Sequence, residues 1–171
     1  MLSLRGRLAA LDGDHEAALA LMEQSLGLLR NIGDQQGIAF GSLHAAASAL
    51  QCGDRADAAR HLVAALTVAR ESDERLVLAR ALEGVAQLIA ATAPDTAVGL
   101  AGAAAALRET LGFDRTLQEQ AQLERWLAPA RSRLGHAVYA KAWQQAQGDA
   151  QQHAVGVALS VAEGVADRHA E

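Results

Sequence analysis

The sequence predicts an all-α fold: a solenoid of antiparallel helix pairs with closing helices at its C-terminal end. Three observations carry this. Hydrophobic residues make up 51% of the 171 positions while aromatics supply 3%. The apolar mass is therefore mostly Ala and Leu, the strongest helix formers, and residues that favour strands are few. Second, Gly13-Asp14-His15-Glu16-Ala17-Ala18-Leu19 returns forty residues later as Gly53-Asp54-Arg55-Ala56-Asp57-Ala58-Ala59, with a fainter copy near Ala93. A fixed period in this range marks a stacked helical array. Third, several of the fifteen glycines fall where helices should end.

The elements follow in order. Leu4, Leu8 and Leu11 space a first helix over Leu2–Leu11. Gly13 ends it, and Asp14 caps a second helix running to about Asn31. Ala18, Leu21, Met22, Ser25, Leu26 and Leu29 form its apolar face. Gly33-Asp34 leads into a third helix over Gln35–Gln51. Gly53-Asp54 leads into a fourth, reaching about Arg70, with Ala58, Leu62, Ala65, Leu66 and Ala69. A fifth covers about Arg75–Ala91 through Leu78, Leu82, Val85, Leu88 and Ile89. Pro94 suits the first turn of a sixth, which Gly112 ends. Asp114 or Thr116 caps a seventh, which Pro129 should kink or break. Gln144–Gln152, with Gly148-Asp149, reads as a loop. A last helix uses Val155, Leu159, Ala162 and Val165, and Asp167–Glu171 should fray.

Two helices alone cannot hide both outer faces, and stacking hairpin on hairpin buries a continuous core. The columns fit: small at Ala18 and Ala58, large at Met22 and Leu62, then Leu26 and Leu66, then Arg30 and Arg70. Residues 1–112 read as the repeats. Residues 113–171 read as an irregular last repeat with capping helices, in one continuous array.

The pattern Gly-Asp-x-x-x-Ala-x-x-x-(large)-x-x-(small)-Leu resembles the second helix of a tetratricopeptide repeat. Gly6 and Ala46 match the small residue of that repeat's first helix. The longer period is similar to the C-terminal arrays of bacterial LuxR-type regulators and signal-transduction ATPases. Arg30-Asn31-Ile32-Gly33-Asp34-Gln35-Gln36-Gly37-Ile38-Ala39 looks like their turn. Leu82-Glu83-Gly84-Val85-Ala86 with Gly102–Glu109 looks like their final repeat, and Tyr139-Ala140-Lys141-Ala142-Trp143 like their closing helix. The chain departs from them in carrying no ATPase module and no helix-turn-helix. Gln147-Gly148-Asp149 also stands where a Gly-Arg and a Ser/Thr cap are expected. The resemblance implies a non-enzymatic module for protein interaction or effector sensing, the C-terminal part of a bacterial transcriptional or signalling regulator. Its partner would be a protein or peptide, including other domains of that regulator. By the column match the concave surface presents Ser3, Arg7, Leu43, His44, Ala47, Leu50, Ala81, Val85 and Leu88. Such a surface suits an apolar or helical segment.

The chemistry-bearing motifs are missing from the sequence. It has no phosphate loop, no Gly-x-Ser-x-Gly elbow and no His-Glu-x-x-His helix. The six histidines are never three or four apart, so they read as surface or groove residues rather than metal ligands. No catalytic residue, metal or cofactor is expected. Cys52 stands alone near a helix C-terminus, where the dipole disfavours a thiolate. Glu83 reads as a solvated or Arg80-associated carboxylate. Trp126, Tyr139 and Trp143 read as packing residues of the cap. The net charge of −5 and the lack of a Lys/Arg run argue against direct nucleic-acid binding. The longest uncharged stretch is too polar for a membrane span, and a cytoplasmic setting is expected. Two other readings stand beside the main one: a homodimeric adaptor joined through Leu4, Leu8 and Leu11, and a helical small-molecule-binding protein.

Overall fold

A computed structural model describes residues 1–148 and 151–168. The described residues form eight helices: α1 Leu2–Leu11, α2 His15–Ile32, α3 Gln35–Cys52, α4 Arg55–Glu71, α5 Arg75–Ile89, α6 Pro94–Leu111, α7 Leu117–Gly148 and α8 Gln151–Asp167. They group into two compact units, Met1–Val77 with Leu159–Glu171, and Leu78–Ala158.

In the first unit neighbouring helices pack in sequence order, α1 on α2, α2 on α3 and α3 on α4. The turns explain why. Gly13, Gly33 and Gly53 all take positive φ, at 84°, 72° and 78°, a region that side chains with a Cβ enter at a cost. In each turn the glycine N–H donates to the carbonyl three residues back, and the aspartate N–H to the carbonyl five back. The pairs are Gly33 to Arg30 and Asp34 to Leu29, Gly53 to Leu50 and Asp54 to Ala49. This closes the outgoing helix. The same aspartate opens the next one. Asp14, Asp34 and Asp54 each accept the N–H three residues on, from Ala17, Gly37 and Asp57 at 2.9–3.0 Å. A two- or three-residue turn between packed helices makes them antiparallel.

Burial follows the repeat columns. Ala18 and Ala58, Met22 and Leu62, and Leu26 and Leu66 are all at most 1% exposed, while Arg30 and Arg70 are exposed. Met22, Leu26, Ile38 and Ala45 form a cluster joined by Leu19, Leu29 and Val68. Gly6 lets α1 approach α2: a Cβ there would sit 3.0 Å from Met22 Cε and 3.2 Å from Ala18 O. Ser3 Oγ and Ser25 Oγ share a 2.6 Å hydrogen bond across the same pair.

The turn after α4 keeps the position but changes the residue. Asp73 stands twenty residues after Gly53 and holds φ 53°. Glu74 N–H donates to Ala69 O, the same five-residue step.

In the second unit α6 packs along α7. Ala97, Leu100, Ala101, Ala104 and Leu107 of α6 are all buried, and so are Leu123, Leu127 and Ala130 of α7. Gly112, at φ 67°, ends α6. Thr116 and Glu119 open α7 with a reciprocal capping box, Glu119 N–H to Thr116 Oγ1 and Thr116 N–H to Glu119 Oε2. The expected break at Pro129 is not where the helix departs from helical geometry. Pro129 lies inside α7, and the non-helical residue is Gly135, at φ 73° and ψ 162°. Proline removes one hydrogen bond, whereas glycine admits a backbone turn that other residues resist. The loop expected over Gln144–Gln152 is also corrected: α7 continues to Gly148 and α8 starts at Gln151. Asp149, Ala150 and the final residues 169–171 lie outside the described residues.

Two substitutions test this account by urea denaturation followed by circular dichroism. A Cβ on Gly102 would lie 2.7 Å from the backbone oxygen of Trp143, so Gly102→Ala should lose about 1–3 kcal/mol. Asp73→Gly should gain about 0.5–1 kcal/mol by relieving the left-handed residue.

Candidate interaction site

The residues expected to line a groove divide sharply by burial. In the first unit Arg7 and Ala47 are exposed, His44 and Leu50 are half-buried, and Leu43 is buried. Ser3 is spent on Ser25. In the second unit Ala81, Val85 and Leu88 are at most 1% exposed. Those three offer no side-chain surface to a partner, which corrects their assignment to the groove. Val77, Leu78, Ala79, Leu82, Ala86 and Ile89 of the same helix are buried too. Helix α5 is thus enclosed around most of its circumference, and spacing alone does not distinguish such a helix from a groove wall.

The strongest electrostatic feature is in the second unit and centres on Glu83. Arg108 grips it with both prongs, Nε to Oε1 at 2.9 Å and Nη2 to Oε2 at 3.0 Å. Arg115 donates Nε and Nη2 to the same Oε1 at 2.9 and 2.6 Å. Arg80 turns instead to Glu119 at 3.3 Å, and Arg108 Nη2 reaches Glu119 at 3.5 Å. The expected Arg80 partner of Glu83 is therefore replaced by two arginines that lie 25 and 32 residues away along the chain. Three guanidiniums face two carboxylates, with the Arg108 side chain only 6% exposed. Burial acts to raise the Glu119 pKa, but the Thr116 N–H and the Arg108 and Arg80 charges outweigh it and hold the group below its ordinary value. A cleft of about 390 Å³ borders Arg108, Arg115, Gly112 and Phe113. Guanidiniums do not give up protons at ordinary pH, so this cluster keeps its three positive charges. It ties the loop after α6 back to α5.

In the first unit His61 of α4 is buried, with Nε2 3.8 Å from a carboxylate oxygen of Glu23 on α2. Burial lowers its pKa below 6.5, Glu23 opposes this, and Arg30 and Arg60 add to the lowering. The expectation of surface histidines thus fails at this position. Cys52 is exposed. Its thiol is pushed up by desolvation and then by Glu16, Asp54 and Asp14. Among the described residues no three His, Cys, Asp or Glu groups gather around a possible metal position. No described helix is long and apolar enough to cross a membrane.

The aromatic residues of the tail are not core. Trp126, Tyr139 and Trp143 are half-buried. Tyr139 and Trp143 stack at 6.0 Å and 18°, and the Arg131 guanidinium lies 4.8 Å over the Tyr139 ring. Arg133 Nη1 donates to Ala91 O at 2.6 Å, beyond the end of α5.

Set against protein-family models, curated proteins and solved structures, the chain matches none of them.

Two measurements check the site. Glu83→Gln leaves Arg108 and Arg115 without their carboxylate, and it should cost about 3 kcal/mol in urea denaturation, as breaking a buried pair does. His61 is held neutral in the fold more strongly than in the unfolded chain. Lowering the pH from neutral to about 5 should therefore reduce stability as the unfolded imidazole takes up its proton first. His61→Gln should flatten that dependence, and an unchanged slope would refute the assignment.

Proposed function

We propose that the chain is a tetratricopeptide-like module for protein interaction or effector sensing, without catalytic activity, within a cytoplasmic bacterial transcriptional or signalling regulator. The observation that carries this reading is the matched burial of α2 and α4. Three successive columns forty residues apart are sealed in both helices, and the turns before them are built alike. Repetition of this kind produces an extended surface, and proteins built this way use that surface for recognition. The surface offered by the first unit is the part of α3 and α1 that packing leaves accessible, with Ala47 and Arg7 exposed and His44 and Leu50 beside them in register. It is small and weakly charged, which favours an apolar helical segment of a partner or of the parent regulator. Binding transmits a signal only through unequal affinity for two states of that regulator.

One observation favours a second reading, a homodimeric adaptor. Leu4, Leu8 and Leu11 are 53%, 52% and 73% exposed along α1, an apolar stripe of the kind that usually meets a partner. Sedimentation as a monomer at high concentration would remove it.

The main reading is tested with the full chain as bait in an extract of its own organism. A discrete partner should be retained and then bind as a purified protein. Ala47→Arg, at an exposed position, should keep the helical signal and weaken that binding by about tenfold or more. If the purified partner binds both forms equally, or none is retained, the reading is wrong.

A further inference from the structure

Within the second unit, the start of α6, the later part of α7 and the start of α8 border an open cleft of about 580 Å³. That volume falls in the range of small-molecule sites. Its lining is mixed: Asp95 and Thr96 of α6, Lys141 of α7 and His153 of α8 are polar or charged, and Leu100, Val138 and Val157 are apolar. Val138 is half exposed, at 50%. Lys141 is the only lysine in the chain. It lines the same cleft as Asp95, yet neither makes an ion pair among the described residues. Ala93, at the N-cap of α6, supplies no side-chain acceptor to the first-turn N–H groups.

The charges decide the class of ligand. A monoanion drawn by Lys141 meets Asp95, and a monocation drawn by Asp95 meets Lys141. A molecule carrying both charges engages both, and its own net charge is zero. An apolar body on that molecule covers Val138 and Val157. We propose that this cleft binds a free α-amino acid with a large apolar side chain, its ammonium on Asp95, its carboxylate on Lys141 and its side chain against Leu100, Val138 and Val157. The site does not involve the α1 and α3 residues of the proposed interaction surface and does not rest on that reading.

The test is calorimetric titration of the full chain with L-phenylalanine and L-leucine, beside glycine, phenethylamine and 3-phenylpropanoate. Phenylalanine or leucine should bind saturably, with each of the three comparison compounds about tenfold weaker or worse, as expected when one charged hydrogen bond or the apolar contact is lost. Lys141→Gln and Asp95→Asn, both at exposed positions, should each weaken binding by a similar factor while circular dichroism is unchanged. The proposal is overturned by absence of saturation at millimolar phenylalanine and leucine. It is equally overturned by single-charge analogues that bind as well as the amino acid, or by variants that bind as wild type does. Should a variant not fold, the analogue series on wild type still decides.

Discussion

The architecture of the first unit depends on a two-residue device used three times. Glycine in the left-handed region ends a helix, and the aspartate after it donates its N–H backwards and accepts another forwards. One dipeptide therefore satisfies backbone groups on both sides of the turn, where orphan donors and acceptors would otherwise need water. Because the turn has so few residues, the following helix must double back onto the one before. The apolar columns then meet without any long connection, and the entropy of closing loops stays small.

The second unit replaces this device at the turn after α6. Gly112 still ends α6, but the chain from Phe113 to Thr116 is too long for the dipeptide arrangement. Arg115 reaches back to Glu83, and Thr116 begins the next helix with its own capping box. The loop is thus fastened by charge where the earlier turns are fastened by backbone geometry. Isolated, each of these ions would be costly to bury. The bidentate grip of Arg108 and the second arginine on the same oxygen supply the multiple hydrogen bonds that such burial requires.

Much of the fold was legible in the sequence because its determinants are local. The glycine stops, the aspartate caps and the column of Ala18, Met22 and Leu26 repeated at Ala58, Leu62 and Leu66 all act within one or two turns of chain. The failures share the opposite property. Nothing local assigns Glu83 to Arg108 and Arg115, since only the fold brings α6 and the loop after it to α5. Ala81, Val85 and Leu88 carry the same residue types as a groove wall, and only the number of neighbours around α5 separates the two. Pro129 drew attention from Gly135 because proline is the louder signal, although glycine has the wider freedom. Asp95 and Lys141, which line one cleft, are 46 positions apart and had no motif to announce them.

The left-handed positions at 13, 33, 53 and 73 are evenly spaced, so α2, α3 and α4 each take, with the turn that ends them, the same length of chain. Losing or gaining one residue inside a helix would rotate everything after it by about 100° relative to the turn that must receive it. Such a protein has little tolerance for small insertions and deletions between its turns. Its evolutionary grain is coarse: point changes on one side, and duplication or loss of whole helix pairs on the other.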